Sequence, residues 1–216
     1  MVLNGRYDGV YQLTEAVKPG KDRVDITEME PEDNEGEAVT GGYLMEIDIR
    51  LEANNEPGWR TTRKVPVVVK EPDPMTPQQR AYIQDHVQRF EDALLAPNFT
   101  DPVLGYRRYL DDVSFADHYL VQEITKNPDA FYASTYFTKE RGEEQMKFGP
   151  IWDFDFSIGS AAASTGALPP EGWHVREHGT WTTRIFSDPT FVELVEQRWE
   201  LLRPRIEGLP DELREL

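Results

Sequence analysis

The chain has no cysteine, so disulfide cross-links and thiolate-held metal are excluded and the redox compartment is left open. It has no apolar run near the roughly 20 residues of a membrane helix. Its start, MVLNGRYDGVY, lacks the blocks of a signal peptide. Positive charge is scarce: 23 Lys and Arg stand against 40 Asp and Glu, a net charge of −17. A field of that sign repels phosphate backbones, which argues against nucleic acid as a partner, and it suits cations or a basic protein surface. What is present is 216 residues, 38% hydrophobic and 11% aromatic, enough for one domain or two small lobes sharing a core.

The first part of the chain reads as β-rich. Asn4-Gly5 is a two-residue hairpin signal, followed by Tyr7, Val10, Tyr11 and Leu13 in a strand-forming run. Only Met1, Val2 and Leu3 precede the turn, so the first strand of this hairpin is expected to be cut short. Residues 18–40 are charged and read as turn and loop. GGYLMEIDIR (41–50) reads as a strand with Tyr43, Met45, Ile47 and Ile49 on one face and Leu44, Glu46, Asp48 and Arg50 on the other. Another strand ends in VPVVVK, closing a partial N-lobe over residues 1–71.

From residue 72 the pattern is mainly helical. Thr76 is a natural N-cap and Pro77 a natural first residue for a helix bearing Ile83, Val87, Phe90 and Leu94, running to residue 95. A second helix is expected from Ser114, with Asp117 three places on and Ala116, Tyr119, Leu120 and Ile124 as its apolar face; Pro128 ends it. YASTYF (132–137) and EQMKFGPIW (144–152) read as strands joined around Arg141-Gly142, and SAAASTGALPPEG (160–172) as a loop. Ser187 or Asp188 caps a last helix through Pro189.

The stretch FGPIWDFDFSIG (148–159) sets Asp153 and Asp155 among aromatics, where a carboxylate needs a cation or donors. As a strand, it would place Trp152, Phe154 and Phe156 on one face and the two aspartates on the other, about 7 Å apart. Upstream, Asn127-Pro128-Asp129 follows the end of a helix. The order of helix, acidic loop, hairpin and acidic turn matches the phosphoryl-transfer part of protein kinases. There a catalytic-loop Asp meets the substrate hydroxyl, a residue five places on holds metal, and a later Asp holds Mg²⁺. Asp129, Ser134 (Asn in kinases) and Asp153 occupy those places. Mg²⁺ favours one or two carboxylates with phosphate oxygens and water, which Asp153 can supply with help from Asp155 or Ser134. Asp155 reads equally as an acceptor for backbone amides, and Ser134 as simple hairpin packing. His174 and His178, spaced like helical ligands but in a Gly- and Trp-rich stretch, read as surface or structural residues, and Tyr43 as core.

Longer words support the pattern: NGRYDGVYQLTEAV (4–17), GGYLMEID (41–48), YLVQEITKNPDAFYASTYFTK (119–139), MKFGPIWDFDFSIG (146–159) and DPTFVELVEQRWELLR (188–203). In these the sequence resembles the spore coat kinase family, the CotH kinase-like proteins, over nearly its whole length. The resemblance implies an α+β, atypical protein-kinase-like fold with a helical C-lobe over 72–216. It implies transfer of the γ-phosphoryl of ATP, with Mg²⁺ or Mn²⁺, to Ser or Thr hydroxyls of a protein partner, in a spore coat or at a cell surface. Asp129 would be the catalytic aspartate and Asp153 the metal aspartate. Glu15 would partner a phosphate-binding lysine that lies upstream in the family, on a segment expected to be missing here. Two rival readings are a non-catalytic binding protein of the same fold and a metal-dependent glycosyltransferase using Asp153 and Asp155 as its D-x-D motif. The second is weakened by the lack of a βαβ pattern.

Overall fold

The computed structural model describes residues 2–9, 14–160 and 169–214. The Asn4-Gly5 turn forms as its residues require. Asn4 and Gly5 both take positive φ (50° and 81°), the left-handed pair of a type I′ turn. They join two-residue strands, β1 (Val2–Leu3) and β2 (Arg6–Tyr7). The strand expected through Val10, Tyr11 and Leu13 lies outside the described residues.

The main sheet has five antiparallel strands in the order β4-β5-β3-β6-β7. These are β3 (Tyr43–Ile47), β4 (Gly58–Arg60), β5 (Pro66–Glu71), β6 (Thr135–Lys139) and β7 (Met146–Phe148). The sheet thus joins strands from both sides of residue 71. β3 lies at its centre and is buried along its whole length. Its alternation sends Tyr43, Met45 and Ile47 into the core with Val67, Val69 and Phe137, while Leu44 and Glu46 are buried on the opposite face. The strand ends at Ile47 rather than continuing to Arg50. Asp48 turns the chain there, its carbonyl accepting from Leu51 N and its carboxylate from Arg50 N. Ile49, expected on the core face, is consequently exposed.

Among the described residues, four α-helices complete the fold: α1 (Pro77–Leu95), α2 (Asp112–Ile124), α3 (Thr180–Ile185) and α4 (Pro189–Arg214). The start of α1 is legible because its signals are local. Thr76 Oγ1 accepts from Gln79 N, and Gln79 Oε1 accepts from Thr76 N, a complete capping box. Ile83, Val87, Phe90 and Leu94 are fully buried. α2 begins two residues earlier than expected. Asp111, not Ser114, is the cap: its Oδ1 accepts from Ser114 N at 2.8 Å, and Asp117 instead clamps Arg198 of α4 with two bonds of 2.7 Å. The buried face of α2 is Phe115, Ala116, Tyr119 and Leu120; Ile124 is exposed. Asp188 meets the start of α4, accepting from Thr190 N at 3.0 Å. The two strands of the β6-β7 hairpin are shorter than expected. Tyr132 N bonds Asp129 O in a turn, and β7 stops where Gly149 takes a φ of 132° before Pro150. Among the described residues, no helix is long and apolar enough to cross a membrane.

Two histidines are built into this core. His118 on α2 is only 4% exposed, and burial pushes its ring down to about 4. His86 on α1 is likewise pushed down to about 4, first by burial and then by Lys139, and its Nε2 lies 3.0 Å from Glu144 O. Both are neutral in the fold at neutral pH, whereas in the unfolded chain they take up protons near pH 6.5. The stability they support is therefore complete above about pH 6.5 and is lost as pH falls through about 4, by roughly 3 kcal/mol per histidine as an upper bound. Urea unfolding at pH 7 and pH 4.5 should show a lower midpoint at pH 4.5. His118→Gln should reduce that difference; an unchanged difference would free His118 of this role.

Candidate functional site

The end of α2 is converted into a rigid loop by its own side chains. Lys126 takes a φ of 52°, ending the helix. Asn127 is buried; its Nδ2 donates to Gln122 Oε1 at 2.8 Å and its Oδ1 accepts from Asp129 N at 3.1 Å. Asp129 O then accepts from Tyr132 N and Ala133 N. Phe131 anchors the loop in the core, stacked on Phe115 with ring centroids 5.2 Å apart. A second brace comes from Glu123, 2% exposed, whose carboxylate takes the backbone N–H groups of His174 and Val175 and the ammonium of Lys126. HVREH is thus a structural brace rather than a helical pair of ligands. His178 packs its ring 5.1 Å from that of Tyr132.

The loop delivers Ser134, buried and held at a φ of 51°, to the segment after β7. Ser134 Oγ donates to Asp153 Oδ2 at 3.0 Å. Asp153 has a φ of 64°, and the D-x-D run is a turn rather than a strand, although its aspartates and aromatics still alternate between exposed and half-buried. Residues 154–157 turn back through Ser157 N and Oγ, both donating to Phe154 O, and Ile158 N bonds Thr125 O at the end of α2. Trp152, Phe154 and Phe156 are only half-buried, and Asp153 and Asp155 are exposed. Among the described residues, five of the eight non-glycine residues with positive φ (Lys126, Phe131, Ser134, Asp153 and Ile158) lie on these two loops. Such strain gathers where surrounding structure over-determines the backbone, as at functional sites.

Two residues that the sequence reading left without a role complete the cluster. Asp48, 3% exposed, accepts on Oδ1 from Arg50 N at 2.8 Å and from Arg50 Nε at 3.1 Å. Arg50 Nη2 reaches Ser134 Oγ at 3.4 Å. Ile49 N donates to Tyr132 O, splicing the end of β3 to the Asp129 loop. The surrounding charges act on Asp129. Burial raises the Asp129 carboxyl above its ordinary range; Arg50 opposes this, and the carboxylates of Asp153, Asp155 and Asp48 add to it. Asp48 and Arg50 share the even-numbered face of GGYLMEIDIR with Leu44 and Glu46, but nothing in that alternation marks them as site residues; only the turn at Asp48 shows where the face leads.

The same face continues with Lys70, whose ammonium is 2.8 Å from Glu46 and also pairs with Glu56. Burial works against the charge of Lys70, yet Glu46 and Glu56 hold its affinity for the proton well above the ordinary lysine range. Tyr136, opposite Glu46 in the β3-β6 register, is pushed up to about 12 by burial and by Glu46. Glu15 is exposed and ion-paired with Arg23. Among the described residues, no three His, Asp or Glu side chains converge as a metal cage. The exposed carboxylate of Asp153 fits the lesser demand of Mg²⁺ carried on a nucleotide, which takes one or two carboxylates and completes its shell with phosphate oxygens and water.

A sequence model of the family described as CotH kinase protein matches residues 1–206 of the chain. No curated protein matches it.

The charge network makes Asp129 a reporter for its neighbours. In carboxyl ¹³C NMR titrations its pKa should lie above the ordinary aspartate value, fall in Asp153→Asn, where a nearby negative charge is removed, and rise in Arg50→Gln. Indifference to both substitutions would mean that the three groups do not share a site.

Proposed function

We propose that this chain, which belongs to the CotH kinase protein family, transfers the γ-phosphoryl group of ATP to Ser or Thr hydroxyls of a protein partner. The observation that carries the reading is that Asp153 accepts from the buried hydroxyl of Ser134 while its charge acts on Asp129, the candidate catalytic aspartate. Mg²⁺ or Mn²⁺, bound with the nucleotide, would neutralise phosphate charge as the terminal phosphoryl group moves. Asp153 would hold that ion, with Asp155 next to it on the same exposed turn. Ser134 orients Asp153 by donating its hydroxyl proton, a supporting role that its geometry favours over direct ligation.

Asp129 takes the separate task of receiving the acceptor hydroxyl. Its raised proton affinity suits a group that must accept a proton as the new P–O bond forms. In this reading residues 1–71 form the N-lobe side and residues 72–216 the C-lobe side. The polar face bearing Glu46, Lys70 and Tyr136 then forms a wall of the nucleotide cleft. Glu15, with Arg23, belongs to the N-terminal side of that cleft. The glycosyltransferase alternative loses support because the five strands of the main sheet pair antiparallel, and among the described residues no parallel strand pair of a βαβ crossover, the unit that cradles a nucleotide sugar, is present.

The two aspartates should fail in different ways. Asp153→Asn should weaken Mg·ATP binding in calorimetry by about tenfold or more, since the side chain keeps its shape and loses its charge. Asp129→Ala should bind Mg·ATP nearly as the native chain does and lose about 10²–10⁴-fold in phosphate transfer to Ser/Thr peptides. Transfer that survives Asp129→Ala would refute the assignment of Asp129. Binding of Mg·ATP with no transfer by the native chain would favour a non-catalytic role, and binding of UDP-sugars alone would favour the glycosyltransferase.

A further inference from the structure

Arg50 stands where a cation is needed. In protein kinases the residue five places after the catalytic Asp is an Asn that holds a second Mg²⁺. Here that residue is Ser134, and a guanidinium is already in contact with it, Arg50 Nη2 to Ser134 Oγ at 3.4 Å. The serine proton is committed to Asp153. A divalent ion seated on the same oxygen would lie against a fixed positive charge.

Arg50 is also held at its base. Its own N–H and its Nε both donate to Oδ1 of Asp48, whose side chain is 4% exposed. Its side chain is 53% exposed, so the guanidinium is anchored on one side and open to solvent on the other. An anchored, open guanidinium is suited to phosphate, which it can meet with paired donors. Its charge bears on both aspartates of the site: it acts on Asp129, and Asp153 acts on it.

We propose that Arg50 supplies, as a resident cation, the positive charge that a second divalent ion would bring, so that the site loads one divalent ion per nucleotide, on Asp153, with Arg50 facing the terminal phosphate. The inference rests on the phosphotransfer reading above and adds the number of metal ions and the residue that sets it.

The test counts ions. The chain is titrated with Mn²⁺ in the presence of AMP-PNP, a non-hydrolysable ATP analogue, and free Mn²⁺ is measured by electron paramagnetic resonance while analogue binding is followed by calorimetry. The native chain should bind one Mn²⁺ per bound AMP-PNP. Arg50→Gln should bind AMP-PNP about tenfold more weakly, with part of the loss recovered at high Mn²⁺ as a second ion enters. Arg50→Lys should keep the count at one. Circular dichroism confirms that the variants remain folded. Two Mn²⁺ per AMP-PNP in the native chain would overturn the proposal, as would an Arg50→Gln chain with unchanged affinity and count. Absence of AMP-PNP binding in the native chain would instead remove the phosphotransfer reading itself, and the proposal with it.

Discussion

The hydrogen bond from Ser134 to Asp153 is the contact on which the site depends. It ties the loop that leaves α2 to the segment that leaves β7, and both partners reach it from left-handed backbone conformations. For residues other than glycine, each such conformation costs about 1–3 kcal/mol. A hydrogen bond to a charged group contributes about 1.5–3 kcal/mol, which offsets only the lower end of the combined cost. The rest comes from what lies beneath: Phe131 stacked on Phe115, Asn127 bound to Gln122, and Ile158 N bound to Thr125 O. The strained pair is held because helix end, hairpin and return turn are each fixed independently.

That rigidity is what allows like charges to be brought close. Asp153, Asp155 and Asp48 all act on Asp129, and Arg50 is the cation that opposes them. Asp48 is the least exposed of the four and is satisfied twice over by Arg50. Farther along the same sheet face, Lys70 plays the same part for Glu46 and Glu56. A chain with a net charge of −17 thus keeps some of its few cations where buried or half-buried carboxylates need them.

Local signals were the most legible part of the fold. The Thr76 capping box, the Asn4-Gly5 turn and the Pro77 start of α1 each depend on residues within a few positions of one another. The start of α2 was misread because Asp111 and Ser114 can both cap a helix, and the choice was made by Ser114 bonding Asp111 O and accepting from Phe148 N, a distant strand. Strand lengths were overestimated where a turn interrupts an alternating pattern: at Asp48 and after Phe148. The same blind spot hid the geometry of Asp153, whose positive φ no alternation of aspartate and phenylalanine announces. At the site, the kinase-like order of motifs pointed to Asp129, Ser134 and Asp153; in the structure Ser134 donates to Asp153, and the charge of Asp153 acts on Asp129. Glu15 could be placed only by resemblance, and here it pairs with Arg23. Arg50 was invisible as a site residue because its role depends on a turn, a buried anchor and a partner 84 residues away.

The central claim is that Ser134 and Asp153 act as one unit in holding a metal-borne nucleotide. A double-mutant cycle on Mg·ATP affinity, with Ser134→Ala, Asp153→Asn and the pair together, tests it directly. If the hydroxyl works by orienting Asp153, Ser134→Ala should weaken binding in the native background and change little once Asp153 is Asn. The two losses would then be clearly less than additive. Fully additive losses would show that Ser134 and Asp153 act independently, and would contradict the account.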